Sequence, residues 1–322
     1  MTSLAEPQSL DVTQIESGIE GRSPRQIFWA RFKEDKAAMA SVGVIAVLGL
    51  LAIFAGVISK HIVGHGPNDL FQTRMLDSFG IPKGPNSDFW LGADKSGRDV
   101  FVRLLYGART SLLVAVVATG FAMAIGTVLG IVAGYFRGFT DTVISRSVDI
   151  VLAIPYLLFA IGIVAACGTT KEGCVGGLVE PGLSLVVFVI AIFTWPYIAR
   201  IVRGSVLSIR EKDFIEASRS LGAGHVRIMV REVLPTLVGP IVVYATLLVP
   251  SNILFEAALS YLGLGVPPST PSWGQMLAEG SDIFDVAWWL MLFPGVFLLS
   301  TTLAFNLLGD GLRDALDPRA DR

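Results

Sequence analysis

Residues Glu216 to Pro235 read EASRSLGAGHVRIMVREVLP. This stretch is polar, basic and interrupted by glycine, yet apolar runs long enough to cross a bilayer lie on both sides of it. Hydrophobic residues make up 52% of the chain and charged residues only 16%, whereas a soluble globular domain usually carries about a quarter charged residues. Together with a mean hydropathy of +0.64, this composition indicates that lipid surrounds most of the chain.

Six stretches contain no Asp, Glu, Lys or Arg over about the 20 residues that a membrane-spanning helix needs. They are residues 37–59, 110–136, 150–170, 181–199, 235–255 and 286–309. Buried helices of a soluble core are a poor explanation for six such runs in one chain. The sequence therefore predicts an all-α integral membrane protein with six transmembrane helices. The first run is too long for the apolar region of a signal peptide, so we expect it to remain as an uncleaved span.

The distribution of Lys and Arg predicts the orientation of the chain. Basic residues are frequent in the segments before the first run, between the fourth and fifth runs and after the sixth, and such segments favour the cytoplasm. We therefore expect a multi-pass membrane protein with both termini in the cytoplasm. The predicted parts are a cytoplasmic tail and interfacial helix (1–36), a first transmembrane helix (37–59), an extracytoplasmic loop (60–109), a five-helix core (110–309) with a cytoplasmic loop (204–235), and a cytoplasmic tail (310–322).

Four details refine these parts. Residues 1–21 are polar and lack periodicity, which predicts a disordered tail, and residues 27–32 predict either an interfacial helix or a continuation of the first span. Gly126, Gly130 and Gly134 recur at intervals of four, which favours close approach of a second helix in lipid. Pro155 falls inside the third predicted span and can kink it.

The chain lacks most of the residue patterns that carry catalysis. Its histidines, at positions 61, 65 and 225, all lie outside the predicted spans, which disfavours a membrane-embedded hydrolase. Gly64 and Gly66 make a helical metal site at the first two of them improbable, so we predict no metal site. The stretch GADKSGRD (92–99) resembles a phosphate-binding loop, but Arg98 and Asp99 stand where Lys and Ser or Thr are required. We predict no cofactor bound by this chain and no nucleic-acid partner.

Two further positions leave alternatives open. Cys167 and Cys174 bracket a short loop expected outside, where they either form a disulfide or remain unpaired. Glu256 interrupts the apolar stretch near the outer end of the fifth span. It is either a pathway residue that meets a peptide amine or an interfacial side chain that reaches water, and we favour the second interpretation.

The stretch quoted first predicts two short helices around a glycine turn. Phe214 to Leu221 forms the first helix in this interpretation, and Gly222 ends it because glycine tolerates a left-handed backbone. His225 to Leu234 forms the second helix, and Pro235 restarts the chain into the fifth span. An ordinary basic loop is the alternative, but about thirty residues is long for a simple connection. We therefore predict a cytoplasmic surface on which a partner docks.

This segment resembles the EAA loop of the membrane subunits of ABC importers. The family pattern is Glu-Ala-Ala, three residues, Gly, nine residues, then Ile-x-Leu-Pro, and this chain departs from it at Ser218 and Glu232. The residues that match are Glu216, Ala217, Gly222, Leu234 and Pro235.

Two other stretches narrow the resemblance. FWLGADKSGRDVFVRLLYGARTSL (89–112) and ALSYLGLGVPPSTPSWGQML (258–277) are similar to the C-type permeases of dipeptide, oligopeptide and nickel importers. The resemblance covers nearly the whole chain from the first span onward.

The resemblance implies a type I ABC importer permease fold and a non-catalytic subunit that imports dipeptides or oligopeptides, with nickel, glutathione or haem as alternative cargo. It also implies a second, B-type permease subunit, two cytoplasmic ATPases that bind ATP and Mg, and an extracytoplasmic binding protein. The residues expected to couple to the ATPases are Phe214, Ile215, Glu216, Ala217, Leu221, Gly222, Leu234 and Pro235. The residues expected at the rim of that contact are Arg210, Lys212, Arg219 and Arg227.

Overall fold

The computed structural model describes residues 23–168 and 174–316, and these residues are predominantly helical. The predicted tail at 1–21 and the last six residues lie outside the described ranges. The principal helices are α1 (Pro24–Glu34), α2 (Lys36–Ile58), α3 (Val100–Phe136), α4 (Gly138–Ala153), α5 (Tyr156–Cys167), α6 (Leu183–Ile209), α7 (Asp213–Ser220), α8 (His225–Tyr261), α9 (Trp273–Ser281) and α10 (Trp289–Leu316).

Five helices of the described residues, α2, α3, α6, α8 and α10, are each long and apolar enough to cross a membrane. A sixth span results if α4 and α5 are counted together, although these two helices meet at an angle of 85°. The all-α membrane fold is therefore confirmed. The third span, predicted over 150–170 with a possible kink at Pro155, corresponds to this bent pair, which begins earlier, at Gly138.

Pro155 is the cause of this bend. Proline disfavours the helical conformation of the residue before it, and Ile154 is accordingly extended, with φ −80° and ψ 129°. Two ion pairs between α4 and α6 hold the first helix of the bent pair in place. Arg203 Nη2 donates to Asp141 Oδ2 at 2.7 Å, and Arg200 Nη2 donates to Asp149 Oδ1 at 2.8 Å.

Several helices extend beyond the charge-free runs that predicted them. Helix α3 begins at Val100, where the carboxylate of Asp99 accepts the backbone N–H of Phe101. Residues 100–109, which we assigned to the outer loop, therefore belong to the second spanning helix. Helix α10 likewise continues through residues 310–316, the first half of the predicted tail.

The N-terminal helix α1 is separate from the first span. Ser23 and Gln26 form a reciprocal capping box at its start. Asp35 is extended and its carboxylate accepts the N–H groups of Ala37 and Ala38, so a new helix begins there. Phe32 of α1 packs with residues of α10, which agrees with an interfacial helix and excludes a continuation of the span.

The predicted glycine stripe is confirmed as the contact between α3 and α6. A Cβ atom added at Gly126 would lie 2.6 Å from Cβ of Ile198, and one at Gly130 would lie 2.7 Å from the carbonyl oxygen of Ala199. The same addition at Gly134 would approach α6 again one turn further along. The two helices therefore pack backbone against backbone, as small residues allow in lipid.

Candidate coupling surface and polar clusters

Helix α7 follows α6 after a turn of three residues and ends at a left-handed glycine. Gly222 has φ +80°, its N–H donates to the carbonyl of Arg219, and the N–H of Ala223 donates to the carbonyl of Ser218. This pair of bonds is the Schellman arrangement, in which the left-handed residue satisfies the last carbonyls of a helix. The loop therefore has the helix and glycine turn that the sequence predicts.

The second half of the loop differs from the prediction. Helix α8 begins at His225 and runs without interruption to Tyr261, so Pro235 does not restart the chain. Residues Met229–Val233 form a π turn, and the N–H of Leu234 donates to the carbonyl of Met229. Proline has no backbone N–H to donate, and its ring crowds the preceding helical turn. The wider π turn just before Pro235 makes room for the ring, so the helix continues through the proline. Leu234 and Pro235 therefore lie inside one continuous helix.

The apolar residues of the loop that contains α7 lie on two faces, one buried against this chain and one exposed. Ile215 of α7 and Ile228 of α8 are fully buried in one cluster with residues of α3 and α6. Leu221 is 88% exposed, Val226 is 70% exposed and Phe214 is 39% exposed. One row of side chains thus fixes the loop to this chain, and the other is left on the surface. Ile215 belongs to the first row and cannot enter a partner's cleft without unpacking this core.

The other residues predicted for this surface also differ in exposure. Those that are exposed, as expected for a contact surface, are Glu216, Ala217, Gly222, Lys212, Arg219 and Arg227. Arg210 instead points inward, where its Nη1 donates to the carbonyl of Tyr135 at 2.6 Å. Arg210 is therefore an internal support of the loop, because it caps the end of α3.

Tyr135 is the residue of this region that sequence reasoning missed. Its hydroxyl lies 3.0 Å from Nδ1 of His225, and the guanidinium of Arg219 lies 5.4 Å above its ring. With the bond from Arg210, Tyr135 touches the end of α6, α7 and the start of α8. The sequence did contain an indication of this role, because Tyr135 lies at the end of an otherwise apolar span. A buried tyrosine hydroxyl needs a hydrogen-bond partner, which points to contacts with another segment.

Glu256 lies elsewhere in the fold and is fully buried. Ser111 Oγ of α3 donates to its Oε2 at 2.9 Å, and Ser260 Oγ donates to its Oε1 at 2.7 Å. Trp273, the first residue of α9, covers this site and donates its backbone N–H to Ser111 Oγ. The side chain has no exposed surface and does not reach water, so our favoured interpretation is wrong. Glu256 joins α3, α8 and α9.

A second polar cluster, formed by Asp94, Arg98, Arg103 and Glu279, ties α9 to the start of α3. Arg103 has no exposed surface, and its Nη2 lies 3.2 Å from Glu279 Oε1. Its Nε lies 3.3 Å from Asp94 Oδ2, and Arg98 bridges the same two carboxylates at 2.6 and 2.9 Å. The four charges balance, as buried ionic groups require.

Replacing Arg103 with alanine is expected to destabilise the protein by about 3–5 kcal/mol, because two carboxylates lose a buried partner. The measurement is thermal unfolding of the purified protein in detergent. Arg74→Ala is the matched control, since the Arg74–Asp88 ion pair is exposed and such pairs are worth about 0–1 kcal/mol. Equal losses in the two variants would contradict the role assigned to the cluster.

The two cysteines lie at the end of the molecule opposite α7. The structure joins Cys167 and Cys174 through a disulfide, with Cα atoms 5.2 Å apart. The bond closes the connection between α5 and α6, and residues 169–173 inside it lie outside the described ranges.

The architecture and the loop define a class, the transport permeases that cross the membrane several times. Residues 126–322 match the family described as "Binding-protein-dependent transport system inner membrane component", and residues 23–73 match "N-terminal TM domain of oligopeptide transport permease C". The chain belongs to the first of these families, since more than half of it is matched. It is a permease subunit of an ABC transport system, as the sequence resemblance implied.

Similar proteins agree with this assignment. The chain is 39% identical to the di/tripeptide transport system permease protein DppC of Pseudomonas aeruginosa, covering 92% of this chain and 93% of that protein. It is 38% identical to the glutathione transport system permease protein GsiD of Pectobacterium atrosepticum, covering 92% of each. A chain from inward-facing structures of the MetNI methionine ABC transporter shares the fold, with a TM-score of 0.55, 22% identity, and coverage of 66% of this chain and 96% of that one. The fold is that of a type I ABC importer permease.

Proposed function

We propose that this chain is the C-type permease subunit of an ATP-driven importer of short peptides in the bacterial plasma membrane. The exposed helix α7 with its glycine turn carries the proposal, because a self-sufficient transporter has no need of such a surface. Peptides are the preferred cargo because a similar permease carries the name of a di/tripeptide system. Glutathione is the second candidate, since it is itself a tripeptide and several similar permeases carry its name.

The proposed assembly contains this subunit, a second, B-type permease, two cytoplasmic ATPases that bind ATP and Mg, and an extracytoplasmic binding protein. Both termini and α7 face the cytoplasm. The residues assigned to the ATPase contact are Phe214, Glu216, Ala217 and Leu221, with Lys212, Arg219 and Arg227 at its rim. Gly222 sets the turn, and Leu234 and Pro235 belong to the helix that leads away from it. Ile215 and Arg210 hold the loop to this chain.

Two rigid connections transmit motion from this contact to the bilayer. Helix α7 is fixed to α3 and α6 through Ile215, and α8 extends from the loop into the membrane without a break. When ATP binding closes the ATPase pair, α7 moves with it, and α6 and α8 carry the displacement to the pathway. The same connections make the coupling reciprocal, so the state of the pathway also alters the affinity of the ATPases for ATP.

Reconstitution of the complete complex in proteoliposomes tests the proposal. With the cognate binding protein and ATP, we expect accumulation of radiolabelled Ala-Ala, and competition by unlabelled glutathione decides between the two cargo candidates. Accumulation of nickel without any peptide would overturn the proposed cargo. Transport that persists without the ATPases would overturn the proposed mechanism.

A further inference from the structure

A cavity of about 400 Å³ opens where the third span is broken. It lies between the α4–α5 bend, α6 and α8, and Pro155 and Tyr156 form the side at the bend. Because α4 and α5 meet at 85°, they leave space beside α6 that a straight helix would fill. The volume lies within the range of small-molecule sites and suits a short peptide.

The floor of this cavity is a buried amide. Asn252 of α8 lines it and is only 4% exposed. The Asn252 Oδ1 atom accepts from Thr194 Oγ1 at 3.2 Å, and its Nδ2 donates to Thr119 Oγ1 at 2.8 Å. An amide offers two N–H donors and two acceptor positions, so one of each has no partner among the described residues. Groups of this kind are expensive in a membrane unless a pathway or ligand uses them.

The wall of the cavity is aromatic and uncharged. Tyr156 packs on Phe255 with ring centroids 4.4 Å apart, and Tyr197 and Ser251 complete the exposed edge. The described residues that line the cavity include no Asp, Glu, Lys, Arg, His or Cys. Such a lining offers no carboxylate, imidazole or thiolate ligand for a transition metal and no charged group that could pair with a peptide terminus. It suits neutral amide groups and hydrocarbon side chains.

We infer that this cavity is a contact site in the transport pathway, where the free donor and acceptor of Asn252 bond a backbone amide of the passing peptide. The inference rests on the proposed function and names the part of the cargo that is recognised. Backbone recognition without charged groups accepts peptides of different side chains and holds each one weakly enough to release it.

Uptake by the complete complex in proteoliposomes tests this site, with Ala-Ala and Ala-Ala-Ala as probes. Asn252→Leu keeps the side-chain volume but removes the amide, and we expect peptide uptake to fall at least about tenfold, since two hydrogen bonds to the peptide are lost. Ser251→Phe fills the cavity from an exposed position, and we expect it to reduce uptake of Ala-Ala-Ala more than uptake of Ala-Ala. Asn306→Leu makes the same exchange as the first variant at an exposed position of α10 outside the cavity, and uptake should stay within twofold of wild type.

Recovery of the assembled complex is measured for each variant, so that loss of folding is separated from loss of contact. Wild-type uptake of both peptides by Asn252→Leu and Ser251→Phe would overturn the inference while leaving the proposed function intact. If Asn252→Leu fails to assemble, the test rests on Ser251→Phe. An equal reduction in the uptake of Ala-Ala and Ala-Ala-Ala by Ser251→Phe would then overturn the inference. Failure of the wild-type complex to transport any peptide would overturn the proposed function and this inference together.

Discussion

Replacing Leu221 with glutamate is expected to lower ATP-driven uptake at least about 100-fold and to abolish recovery of the ATPases with the permease. Leu221 is the C-terminal capping residue of α7, and 88% of its surface is exposed. An apolar residue so exposed beside a rigid glycine turn is well placed to be buried by a partner. A carboxylate at the same position would have to give up its hydration to enter that apolar contact, which costs several kcal/mol. Loss of about 3 kcal/mol of binding free energy corresponds to the expected factor.

The matched control is Leu178→Glu. Leu178 is 83% exposed but precedes α6, whereas Leu221 follows it, so the two positions are separated by a helix about 40 Å long. We expect this variant to keep its ATPases and at least half of wild-type uptake. Retention of the ATPases and of uptake by Leu221→Glu would contradict the assignment of α7 as the coupling surface.

Replacing Gly130 with leucine is expected to prevent accumulation of folded permease. A single Cβ at this position would already lie 2.7 Å from the carbonyl oxygen of Ala199 and 2.8 Å from Cβ of Val202. The backbone of α6 cannot yield as a flexible side chain would, so α3 and α6 must separate. Overpacking of a tight core commonly costs about 1–3 kcal/mol, and a leucine adds three further carbon atoms to this contact. The yield of monodisperse protein in detergent measures the effect.

Gly120→Leu is the control on the same helix. A Cβ at Gly120 meets nothing within 4 Å, and the position is exposed. We expect wild-type yield from this variant, and in fact a small gain in helix stability because leucine is a better helix former than glycine. If both variants fold equally well, the helix contact is not as close as the structure indicates.

The approximate positions of the long apolar helices could be predicted because the cost of burying charge in lipid is a local property of sequence. Three features depend mainly on neighbouring residues in the sequence and were therefore predictable. They are the apolar runs, the glycine repeat beginning at Gly126 and the turn at Gly222. A kink at Pro155 could also be predicted, because proline affects its own backbone. The size of the bend, 85°, could not, because it depends on the helices packed around it. At Pro235 the sequence-based prediction was wrong. We expected this proline to end the helix, but a π turn just before it lets the helix continue.

The polar clusters could not be predicted because their members are distant in sequence. Arg103 and Glu279 are 176 residues apart, and Ser111 and Glu256 are 145 apart. In the sequence alone, Glu256 is an isolated charge near a span, and for this reason it was assigned as an interfacial side chain. Arg210 was placed at the rim of the loop for the same reason, although its partner is a backbone carbonyl in α3. Only the packing of the helices determines which of these groups meet.

Site-specific photo-crosslinking from position 221 in membranes containing the complete transporter tests the coupling role most directly. We predict an adduct between the permease and an ATPase subunit, and no such adduct from position 178. An adduct with the extracytoplasmic binding protein, or the absence of any ATPase adduct from a fully assembled and active transporter, would contradict the proposal that α7 and its glycine turn connect the spans to the ATPases.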